Sequence, residues 1–142
     1  LGAGGGVPPA RTGSGGAVDL AWPAIKVHVG LGYVSTLMPM RVEAGAGEGT
    51  AQGKIKLITK VIIRFARSLG GVVGRDESHL EPILSDRDPS VPMDQPMPLF
   101  SGDATVDFPG TYEDTGDLIV SQNQPLPMTI NAIIPRVVTA DG

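Results

Sequence analysis

The side chains best suited to chemistry are few and scattered. His28 and His79 are the two histidines, and the chain has no cysteine. His79 stands beside Asp76, Glu77 and Glu81, residue types that suit a hydrolytic metal centre or an acid–base pair. A zinc site needs a second nitrogen or sulfur at ligand spacing, and nothing near His79 supplies one. Asp86, Asp88 and Asp94 offer carboxylates to calcium, but the glycine and the closing glutamate of a twelve-residue calcium loop are missing. Ser68, in Ala66-Arg67-Ser68-Leu69-Gly70, has the small neighbours of a nucleophile elbow without its strand-to-helix turn or a partner histidine. Gly53-Lys54 fails as a phosphate loop, which would need Gly at Glu48 and Ser or Thr at Ile55. The glycines at positions 2 and 4 to 6 follow no strand, so they make no dinucleotide loop. Glu113, Asp114 and Asp117 read as solvated turn formers. These residues assign no catalytic group, no metal and no cofactor. A hydrolase built on His79 is the enzymatic alternative, and replacing His79 by Ala tests it.

The cations are better organised. Gly53 to Gly74, GKIKLITKVIIRFARSLGGVVG, is the densest apolar run and carries Lys54, Lys56, Lys60, Arg64 and Arg67. Leu57, Val61, Phe65 and Leu69 fit a helical stripe. The β-branched Ile55, Ile58, Thr59, Val61, Ile62 and Ile63 favour a strand, which is the reading adopted for residues 54–69. Ile62, Arg64 and Ala66 then face one way, while Val61, Ile63 and Phe65 face the core. Lys54, Lys56, Lys60 and Arg64 share one parity, which predicts a face of four cations for phosphates or for a neighbour's carboxylates; pairing with a neighbouring subunit is preferred.

The bulk numbers limit the classes. At 142 residues the chain suits one domain. With 20 Gly and 13 Pro, it predicts short elements and many loops. One Trp, two Tyr and three Phe leave a modest aliphatic core, which favours burial against neighbouring copies. A net charge of −4 argues against a dedicated nucleic-acid binder. No charged and apolar leader opens the sequence, and the longest apolar run is interrupted by Lys60, Arg64 and Arg67, so no membrane insertion is expected. The start at Leu reads as a fragment of a longer protein.

Residues 1–17 are a Gly/Pro-rich linker, and residues 18–142 form a β-rich assembly domain. Ile25, Val27, Val29 and Leu31 alternate with polar or small residues, and Tyr33, Ser35 and Leu37 continue that strand. Residues 43–53 are a mobile arm. Residues 75–98, with Pro82, Pro89, Pro92, Pro96 and Pro98, form a long structureless tie suited to docking along another chain. Residues 99–124 read as a hairpin whose first arm holds Ala104, Val106 and Phe108 and whose second opens at Leu118-Ile119-Val120. In a last strand, 128–139, Ile130, Ala132 and Ile134 share one face, and Pro135 puts the strand at an edge or bend. No helix pattern alternates with strands, so the fold class is mainly β: a small antiparallel sheet or sandwich-like domain with long loops.

Four segments, in order, resemble the tail nozzle proteins of short-tailed phages, the tail tubular protein B-like family. Val27-His28-Val29-Gly30-Leu31-Gly32-Tyr33 is similar to that family's V-G-L-P-Y signature, with Gly32 where the family has Pro. Lys54 to Gly74 resembles its basic strand ending in R-S-L-G-G. The other two are Met93 to Asp103, which includes Asp94, Gln95, Pro96, Leu99, Phe100, Gly102 and Asp103, and Gln124 to Pro135. The resemblance implies a structural virion protein in the phage tail: a homo-hexameric ring through which DNA passes transiently and non-specifically. It also implies contacts with the adaptor or tail tube and with fibres, and no catalytic residue. The alternative is a receptor- or carbohydrate-binding tip domain of a viral tail fibre, for which Trp22, Tyr33 and Tyr112 are the aromatics available for stacking.

Overall fold

A computed structural model describes residues 13, 15–20, 23, 27, 33–43, 50, 53–84, 90–92 and 95–140. The chain divides into two compact units, one of residues 1–33 with 86–98 and one of 34–85 with 99–142. Most of the expected linker and of the strand through Ile25 and Leu31 falls outside the described residues, as do Gly30, Leu31 and Asp94.

The second unit is all strand. In chain order these are β1 (Ser35–Leu37), β2 (Ile55–Ser68), β3 (Val72–Asp76), β4 (His79–Pro82), β5 (Phe100–Asp107), β6 (Ile119–Gln122) and β7 (Ile130–Ala140). They build two antiparallel sheets, ordered β1-β6-β3-β4 and β5-β2-β7. The fold is mainly β and sandwich-like, as the residue pattern predicts. β2 is the longest strand and lies at the centre of its sheet, paired along both sides. Its β-branched residues outweigh the helical stripe because the strand has a partner along both edges and packs one face on the core.

Gly70 and Gly71 end β2 with φ of 71° and 92°, a left-handed corner that a residue with a Cβ adopts only with strain. The chain then passes directly into β3 of the other sheet. Ile58, Val61, Ile63 and Phe65 of β2 cluster with Val73 of β3, Leu118 and Val120 at β6, and Phe108, all at most 7% exposed. Val61, Ile63 and Phe65 thus face the core, and Ile62 and Arg64 point away, as their parity predicts.

Three expectations require correction. The 75–98 segment is not structureless: β3 runs to Asp76, and a tight turn at Glu77-Ser78 leads into β4, which pairs back on β3. Gly74 permits this, because a Cβ there would collide with the His79 carbonyl oxygen. The 99–124 hairpin is also absent. Both arms exist, but β5 pairs with β2 while β6 pairs with β3 and β1 in the other sheet. The long turn between them allows the arms to separate, since only a short turn forces neighbouring arms together.

In β7 the face assignment is wrong as well. A register shift lies between the Arg64↔Ala132 and Phe65↔Ile130 pairs. The extra residue reverses the alternation, so Ile130 and Ile133 pack on the core while Ala132 and Ile134 share the outer face with Arg64 and Ile62. Pro135 lies in an edge strand, as expected.

Candidate functional site

The predicted face of four cations is divided by a bulge. The pairing of β2 with β7 shifts between Ile58 and Lys60, leaving Thr59 as the extra residue. Two-residue periodicity is reversed across that point. Lys60 and Arg64 stay on the outer face, whereas Lys56 turns to the core side with Ile58 and is 3% exposed. This overturns the common face for Lys54, Lys56, Lys60 and Arg64; Lys54 lies just before the strand and is half-buried.

The outer face is built in rows across the β5-β2-β7 sheet. One row is Asp107, Lys60 and Arg136; the next is Thr105, Ile62 and Ile134; the third is Asp103, Arg64 and Ala132. Lys60 Nζ is 3.0 Å from Asp107. Arg64 makes a two-pronged contact with Asp103, Nε at 2.7 Å and Nη2 at 2.9 Å. The hydrogen bonds from Arg64 hold the Asp103 carboxyl below its ordinary range, and the same bonds raise the guanidinium's affinity for its proton. The two cations are thus neutralised inside their own sheet. Arg136 makes no ion pair among the described residues. Aliphatic surface lies between and beyond the charges: Ile55, Ile134 and Val138 are exposed, Ile134 by 43% and Val138 by 50%.

Lys56 has a different setting. Its backbone pairs in both directions with Glu113, and its Nζ donates to the Asp114 carbonyl oxygen at 3.0 Å. Gly116 lies over its side chain with no room to spare, since a Cβ there would come within 3.2 Å of Lys56 Cδ. The backbone of the turn thus holds Lys56, Glu113 through its main-chain pair and Asp114 through its carbonyl oxygen, while Asp114 itself lies exposed in a bend, as a turn former should. A hydrogen bond to a carbonyl limits the cost of taking that charge out of water.

The acidic neighbours of His79 do not gather into a metal site. Among the described residues no group of three or more His, Asp or Glu is placed to hold a metal ion. Instead, His79 Nδ1 lies 2.8 and 2.9 Å from the two Asp76 oxygens, and Ser78 N–H donates to the same carboxylate. Hydrogen bonding from His79 is the main reason the Asp76 carboxyl is held below its ordinary range. Arg75 Nη2 is 3.0 Å from Nε2 and 3.3 Å from Nδ1. A donor in the ring plane cannot be that near both nitrogens, so Arg75 Nη2 sits over the imidazole face. Arg75 Nη1 also donates to Thr111 Oγ1 at 2.9 Å. The cluster pins the β3–β4 turn to the 109–118 segment. Ser68 is fully buried, donates to the Ala66 and Thr129 carbonyls and accepts from Thr129 N–H, so it has no nucleophile's exposure.

Of the remaining residues that carry the family likeness, Tyr33, Gln95, Pro96 and Leu99 are exposed, while Phe100, Gly102 and Asp103 lie in β5. The sequence reading missed the partners Asp103 and Asp107. The signal was available: Asp103, Thr105 and Asp107 share a parity opposite to Gly102, Ala104 and Val106, which marks an acidic outer face on β5. No protein-family model matches the chain, and neither does any curated protein sequence. Among the described residues no helix is long and apolar enough to cross a membrane.

Proposed function

We propose that the chain is a non-catalytic assembly module, a subunit of a homo-hexameric tail nozzle ring in the virion of a short-tailed phage. The observation that carries the assembly part is the outer face of the β5-β2-β7 sheet. It exposes Ile55, Ile134 and Val138 beside cations already paired with Asp103 and Asp107. Pairing Lys60 and Arg64 inside the sheet leaves Arg136 as the cation without an ion pair on this face among the described residues, and so weakens its attraction for phosphates, which suits a wall past which DNA slides rather than sticks. Exposed aliphatic surface is of the kind that neighbouring protein covers. The tail assignment, with its adaptor, tail-tube and fibre partners and passing DNA, rests on the four ordered segments. Native mass spectrometry of the purified protein tests the reading. Six copies are expected, and a species that stays monomeric at all concentrations overturns it.

A second reading is a carbohydrate- or receptor-binding tip domain. Tyr33 and Tyr112 are 80% and 64% exposed, as sugar-stacking rings must be. A glycan array decides it: binding that Tyr112→Ala abolishes favours the tip domain.

A further inference from the structure

Among the described residues, the three-stranded sheet has two edges with no further strand beside them, and they match each other. β5 and β7 both run antiparallel to β2, so they run in the same direction. Along that direction the outer-face residues follow one another in the same rows. From the Asp107 end, β5 presents Asp107, Thr105 and Asp103, and β7 presents Arg136, Ile134 and Ala132. The acidic residues are on β5. On β7 the charged residue is Arg136, a cation with no ion pair among the described residues, and Asp107 opposite is 86% exposed at its side chain even while it touches Lys60.

We propose that copies of this chain join edge to edge, β7 of one against β5 of the next in parallel. Arg136 then meets the next copy's Asp107, and Ile134 the next copy's Thr105. The inference rests on the assembly reading and names the surface through which it acts. Unpaired edge groups of both strands gain partners. The contact is head-to-tail, because two different strands meet, and such a contact closes into a ring when the rotation allows. A rotation about an axis along the strands brings β7 onto β5 without reversing either. Pro135 withholds one donor from this edge, so the pairing runs on both sides of it.

The absence of cysteine makes the test direct. Within one copy, Thr105 and Ile134 flank Ile62 on opposite sides, two strand spacings or roughly 9.5 Å apart. A disulfide needs Cα atoms within about 7 Å, so it cannot form inside the copy. In the proposed joint the same positions are neighbours. Oxidised Thr105→Cys/Ile134→Cys protein is expected to give a ladder of covalent multimers on a denaturing gel, and either single variant none. Monomers only, or dimers with no higher rung, overturn the proposal; dimers alone would mean that the faces stack instead. Should the double-cysteine variant lose its circular-dichroism β signature, charge reversal decides. Arg136→Glu and Asp107→Arg should each weaken assembly about tenfold, and the pair together should restore it; failure to restore overturns the joint. Six copies without a ladder remove the edge pairing and leave the assembly reading standing. A permanent monomer removes both.

Discussion

Lys56 and Lys60 lie in the same strand, one bulge apart, and have opposite fates. Lys56 is buried with a backbone carbonyl as its ammonium's partner, under a lid made by the Glu113–Gly116 turn. Lys60 is half in solvent and faces a carboxylate. The residue type is the same and the intervening chain is strand throughout. Thr59 makes the difference, because one unpaired residue reverses which side of the sheet every earlier side chain occupies. The ion pair that looks stronger on paper is the weaker contributor. An exposed pair is worth roughly 0–1 kcal/mol, whereas a buried aliphatic stem contributes about 0.8 kcal/mol per methylene taken out of water.

The sharpest way to break the comparison is to truncate Ile58, which faces the core on the Lys56 side of the bulge. Ile58→Ala is expected to cost about 3 kcal/mol or more in urea unfolding. Ile63→Ala, beyond the bulge on the core side, is expected to cost about 3 kcal/mol by the same measurement. A smaller loss there would mean that the two sheets pack less tightly than the buried cluster indicates. Next comes the pair of lysines. Lys56→Ala should cost about 2 kcal/mol through lost stem packing, and Lys60→Ala no more than about 0.5 kcal/mol. Equal effects would erase the contrast between the two sides of the sheet.

The smallest effect lies in the acid limb. The Asp103 pKa is lowered from 3.8 in the folded chain. Its pair with Arg64 therefore contributes fully above the ordinary carboxylate value and is lost as pH falls through the depressed one. Asp103→Asn should flatten the pH dependence of stability below about pH 4 and leave it unchanged at pH 7 to 8, as read from unfolding midpoints.

Much of this was legible in the sequence. The alternation of Val61, Ile63 and Phe65 gave the core side of β2 correctly, and the β-branched content placed the strand between Gly53 and Gly70. Bulges and pairing choices were not legible. Nothing local marks Thr59 as an extra residue: its unpaired state depends on how β7 is spaced, and β7 is far away in sequence. The same is true of the shift that turns Ile133 inward. The β3–β4 turn was hidden by prolines downstream of it, although Asp76 followed by a polar pair is ordinary turn chemistry. Asp103 and Asp107 were visible as a pattern, but their link to Lys60 and Arg64 required knowing that β5, rather than β6, lies beside β2.

The placement of β2 also sets the order of events during synthesis. This strand is made before both of its sheet neighbours, β5 and β7, and β7 follows every other strand among the described residues. At about 5–20 residues per second, the most apolar stretch of the chain waits for on the order of several seconds with both edges bare. Such a stretch is an aggregation hazard while it waits. Lys56, Lys60 and Arg64 interrupt it at that stage, before any of them has found its final partner, and so protect the nascent chain from its own stickiest segment.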